Sequence, residues 1–126
     1  MARNPPPITE RLSVYLDHEC ERRYQLALTD LDDERNLRAA QKLSEFAIYV
    51  ADLPDDDPRL ERLRLMQAPY RADVFAATSE ASRFVSRIGF DLRTYEQSPD
   101  VLLDTLVEIE SRGVGQTVGA GVAPAG

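Results

Sequence analysis

The residues best suited to chemistry stand close together. The stretch YLDHECERRY, residues 15–24, holds the chain's only histidine, His18, and its only cysteine, Cys20, among Asp17, Glu19 and Glu21. Imidazole, thiolate and carboxylate are the groups that ligate metals and drive nucleophilic catalysis. Helical spacing keeps these two apart. Two residues along a helix turn the side chain by about 160° around the axis, so His18 and Cys20 of one helix cannot share an ion. Cys20 falls with Leu12, Leu16, Ala27 and Leu31 on an apolar stripe, which reads as a small buried hydrophobe. His18 falls on the outer face with Arg11, Val14 and Gln25, which reads as a solvated side chain. A nucleophilic thiol needs a base, and no second histidine is present to supply one. Glu19 and Arg23, spaced i, i+4, border the stripe and suit a partly buried ion pair.

Other chemistries fail on spacing. Di-iron bundles need Glu-x-x-His pairs, of which there are none. Asp55, Asp56 and Asp57 open no EF-hand, because the positions that require Gly and Glu hold Leu60 and Met66. There is no glycine-rich phosphate loop, no G-x-S-x-G and no cysteine pair for zinc. No catalytic residue, metal site or cofactor is therefore expected.

The elements that carry these residues read as helices throughout. The expected class is all-α, a four-helix bundle-like fold over 9–30, 33–53, 58–88 and 99–112. Residues 1–8 form a proline-rich arm, 9–112 a single helical domain, and 113–126 a loose Gly/Ala/Val tail with no charge. Thr9 is the expected first N-cap, and Asp32 or Asp33 the second. The second helix turns Leu37, Ala40, Leu43, Ala47, Val50 and Ala51 one way; Phe46, Ile48, Tyr49 and Leu53 widen that face, and Pro54 ends it. Asp57-Pro58 and Ser98-Pro99 read as N-cap followed by N1. The most regular pattern is Leu60, Leu63, Gln67, Tyr70, Val74, Ala77, Ala81, Phe84, Ile88, with spacings of three and four that hold across Pro69. It predicts one long kinked third helix, about 45 Å at 1.5 Å per residue, closed by Gly89. Val101, Leu102, Leu106 and Ile109 give the last helix its apolar face.

Charge sets the remaining expectations. The net charge is −7, which weighs against nucleic acid and anionic membranes. Fourteen of the fifteen basic residues are arginine, as in proteins of GC-rich bacterial or phage genomes. Residues 58–93 are the exception, with a balance of +3 that leaves −10 for the rest. One cysteine, no apolar leader in MARNPPPITE and no apolar run of about 20 residues lead to a cytoplasmic expectation. The leading functional reading is a non-enzymatic interaction or regulatory protein acting through helix-helix contacts. A protein partner and a homodimer are expected, with Tyr70, Val74, Ala77, Ala81 and Phe84 as the interface. One alternative is a nucleic-acid-associated regulator touching phosphate, or an acidic partner, through Arg59, Arg62, Arg64 and Arg71. The other is a bundle that holds a small molecule or metal.

Overall fold

The computed structural model describes residues 7–66 and 79–122. Within them every element is an α-helix: α1 (Ile8–Thr29), α2 (Arg35–Ala51), α3 (Pro58–Met66), α4 (Glu80–Arg87), α5 (Leu92–Tyr95) and α6 (Pro99–Val122). The four expected helices thus become six described ones. A short turn makes α1 and α2 an antiparallel hairpin, the most closely packed pair among the described elements. The last helix packs against α3, α4 and α2. Leu12 and Leu16 of α1, Phe46 and Val50 of α2, and Leu60 and Leu63 of α3 meet Val85 and Ile88 beside Leu102, Leu103 and Leu106 of α6, all fully buried.

A single kinked third helix is not confirmed: α3 is described to Met66, and α4 begins at Glu80 behind Ser79. This residue has extended backbone, φ −73° and ψ 160°, and its Oγ accepts the Ser82 N–H at 3.1 Å. An extended N-cap ends any helix arriving from the N-terminal side, and serine competes well for that role. The unbroken heptad pattern records which residues meet the core, since Leu60, Leu63, Ala81, Phe84 and Ile88 are all buried. Two helices that both pack on α6 carry the same periodicity as one. Gln67 and Pro69 lie outside the described residues.

Other boundaries shift for local reasons. Pro7 precedes α1, so Thr9 sits inside the helix, where its Oγ1 donates to Asp55 Oδ1 at 2.8 Å across the fold. Glu34 is the N-cap of α2 with no side-chain capping bond. Asp33 Oδ1 instead accepts the Arg35 N–H at 3.0 Å. Leu31 lies past the end of α1 and is 80% exposed, off the stripe to which its spacing assigned it. In α2, Ile48 is 61% exposed and Leu37 and Ala51 are exposed, while Ala39 and the stem of Lys42 are buried. Leu103 and Val107 replace Val101, which is exposed, on the inner face of α6. The backbone carries α6 ten residues beyond Arg112, to Val122.

Two signals are met as read. Gly89 follows α4 with φ +74°, the left-handed C′ position. Pro58 and Pro99 each open a helix behind Asp57 and Ser98, with the Ser98 Oγ accepting the Val101 N–H at 3.4 Å. Between α4 and α6, Asp91 caps the single turn of α5: its Oδ1 accepts the Thr94 N–H at 2.9 Å.

Candidate functional site

The His18–Cys20 stretch divides between two faces. His18 is exposed. Cys20 is half-buried against the core, and its thiol donates to the Ala40 carbonyl at 3.2 Å. Burial, then the charges of Asp17 and Glu21, push its pKa up, which disfavours the reactive thiolate. Among the described residues no group of three His, Cys, Asp or Glu side chains is placed to hold a metal ion.

Glu19 and Arg23 do not pair. Glu19 takes Arg22 at 3.0 Å, one residue nearer. Arg23 turns inward as the centre of a clamp. Its Nη1 donates to Asn36 Oδ1 at 2.8 Å, its Nη2 donates to the Ser86 carbonyl, and its guanidinium lies 4.6 Å from the centroid of the Phe90 ring. Arg35 approaches the same ring at 4.9 Å, and Arg38 Nη2 donates to the Phe90 carbonyl at 3.0 Å. Three guanidiniums thereby fix the loop after α4 onto the α1–α2 hairpin. Burial, then the Arg22 charge, lowers the pKa of Arg23 against the opposing Glu19 charge, and Arg23 forms no ion pair among the described residues.

The arginines read as phosphate contacts are placed differently from one another. Arg59 is largely buried in an intramolecular network. It pairs with Asp57 at 3.2 Å, Asp100 at 2.7 Å and Asp104 at 3.3 Å, and donates to Tyr49 Oη at 2.8 Å. These bonds raise its pKa, Asp57 first, and hold Asp57 below the usual carboxylate range. Arg64 pairs with Glu61, Nε to Oε2 at 3.0 Å. Arg62 is exposed, and Arg71 lies outside the described residues. Of the proposed interface residues, Ala81 and Phe84 are buried in this chain's own core. Tyr70, Val74 and Ala77 lie outside the described residues.

The hairpin tip carries an apolar groove that the spacing did not single out. Beside and past the Arg23–Asn36 hydrogen bond, the hairpin carries Leu37, Tyr24, Ala27, Leu28 and Leu31, of which only Ala27 is buried. With Asp33 and Glu34 they line a groove of about 300 Å³ at the hairpin tip. Leu28 is 54% exposed beside the more exposed Leu31. The signal was present: 24, 27, 28 and 31 are spaced i, i+3, i+4, i+7. It was hidden because the same stripe, followed from Leu12 and Leu16, looks like continuous core. The core cluster stops before the polar Arg23 clamp; past it Tyr24 and Leu28 are exposed and only the small Ala27 is buried.

The groove adjoins a second hollow, lined by Asp30, Asp32, Asp33, Glu34, Arg35 and Arg38. Arg35 pairs with Asp33 at 2.7 Å, and hydrogen bonds from Arg35 bring the Asp33 pKa down to about 2. Arg38 is occupied with Phe90. Asp30, Asp32 and Glu34 are exposed carboxylates in no ion pair among the described residues. The tip is therefore apolar on one side and acidic on the other. No protein-family model, curated protein or solved structure matches this chain. Within the described residues, no helix is long and apolar enough to cross a membrane.

Proposed function

We propose that this chain is a non-enzymatic interaction protein that engages a protein partner by helix-on-helix contact at the α1–α2 tip. The observation that carries the reading is the groove of Tyr24, Leu28, Leu31 and Leu37, apolar side chains held in one place yet exposed. Single exposed leucines are ordinary, but a contiguous apolar patch rimmed by charge marks a contact surface. A homodimer built on the third-helix stripe draws no support from Ala81 and Phe84, which the same chain covers. The phosphate-binding alternative is weakened because Arg59 and Arg64 already have carboxylate partners.

The test is quantitative crosslinking in the source cells. Wild type is compared with a Leu28→Ser/Leu31→Ser variant and with Val14→Ser, an exposed control near the other end of α1. At least one protein should crosslink to wild type and to the control but not to the tip variant. Indistinguishable crosslinks for all three proteins would sink the assignment.

A further inference from the structure

Resting on that reading, we infer that the occupant of the tip groove is a basic amphipathic helix of another protein. Three observations converge. The groove lies where two helices end, and no strand edge occurs among the described residues, so recognition by strand addition is not offered there. Tyr24 and Leu28, one turn apart on α1, and Leu31 in the turn just beyond it form a continuous apolar strip, which suits a docked helix with anchors at i, i+3 or i+4, and i+7. The neighbouring hollow supplies an excess of negative charge: Asp30, Asp32 and Glu34 are exposed and in no ion pair among the described residues, while Arg35 is paired with Asp33 and Arg38 is held by Phe90. A helix with its apolar stripe in the groove would place flanking lysines or arginines over these carboxylates. Opposite charge at the rim directs encounter and excludes like-charged partners. The same argument disfavours a second copy bound tip to tip, because each would bring the same uncompensated acids.

The probe is a phage-displayed library of helical peptides, about 16 residues long and randomised on one face, selected against the full chain. Selected peptides are then measured by fluorescence anisotropy. They should carry apolar anchors at the stated spacing and a net positive charge. Affinity should fall at least tenfold for Leu28→Ser/Leu31→Ser, and at least threefold both for Asp32→Asn/Glu34→Gln and on raising salt from about 50 to 300 mM. Circular dichroism of each variant confirms that it is folded. Peptides that need Leu28 and Leu31 but are uncharged and indifferent to Asp32 and Glu34 would overturn this inference while leaving the proposed function standing. Peptides that bind every variant as they bind wild type would overturn both. Self-association in sedimentation velocity, abolished by the leucine substitutions, would assign the groove to a second copy and refute the basic partner.

Discussion

At Gly89 the backbone has no room for a side chain. A Cβ there would lie 2.7 Å from Lys42 Cβ, 2.8 Å from Ala39 Cα and 2.9 Å from the Arg38 carbonyl oxygen. Two of the three are backbone atoms of α2, which cannot rotate away. The positive φ adds the strain that any L side chain meets in this region. Close approach is what lets the next residue, Phe90, enter the arginine clamp, and the Gly89 N–H donates to Thr94 Oγ1 at 2.9 Å. Gly89→Ala should destabilise by about 3 kcal/mol, combining overpacking with left-handed strain, measured by urea unfolding. A loss below about 1 kcal/mol would mean that the loop after α4 shifts freely. Cys20 gives a second prediction at this scale. Its thiol is half-buried, hydrogen-bonded and raised in pKa, so a thiol reagent at pH 7.5 should label native protein at least tenfold more slowly than denatured protein. Equal rates would remove Cys20 from the α1–α2 contact.

Arg59 joins three elements: the end of α2 through Tyr49, the turn before α3 through Asp57, and the start of α6 through Asp100 and Asp104. Tyr49 Oη also donates to Asp100 Oδ1 at 2.9 Å, and this bond, followed by Arg59, holds the Asp100 carboxyl down. Both aspartates are depressed in the folded state. Their stabilisation is therefore complete above the unfolded carboxylate value, about 3.9, and is lost as pH falls through their lower folded values. Arg59→Met should cost about 1 kcal/mol at pH 7, a modest figure because Asp100 and Asp104 are solvent-screened. The gap in melting temperature between the two proteins should close below about pH 4. A gap that persisted at pH 2.5 would show that Arg59 acts through packing alone. The sequence signalled the α3 and α6 ends of this junction, because proline fixes N1 in each. It did not signal the bond pattern, since the partners of Arg59 are as far as 45 positions away. The third helix shows a related gap. Apolar spacing reports a residue's face, and a helix break between two segments that share a face leaves that spacing intact. Only the local chemistry of Ser79, a capping serine, marked the break. Leu31 and Ile48 show the converse: both fit an apolar pattern, yet one lies past a helix end and the other on the solvent side of α2.

At the scale of the whole molecule, core and tip are separable. Leu28 and Leu31 belong to no core cluster. Leu28→Ser/Leu31→Ser should therefore leave the unfolding free energy within about 0.5 kcal/mol, whereas Leu16→Ala, at a fully buried position, should cost about 3 kcal/mol. Similar losses for the two proteins in calorimetry would show that the tip carries fold stability. All-helical class, short-turn hairpin topology and most core residues were legible in the spacing. The limit of the core along α1 was not, because it is set by where Arg23 meets Asn36, Ser86 and Phe90. That clamp also partitions the hairpin in time. Inside it, amide protons of α1 and α2 that flank the buried cluster should exchange with solvent only when the core opens. Outside it, the last turn of α1 and the connecting turn, residues 24–34, lie beyond the clamp and should open locally at a fraction of the global free energy. Deuterium uptake should thus show one boundary in each helix of the hairpin, near Arg23 in α1 and near Asn36 in α2, with the fast side of both boundaries at the tip that carries the exposed groove.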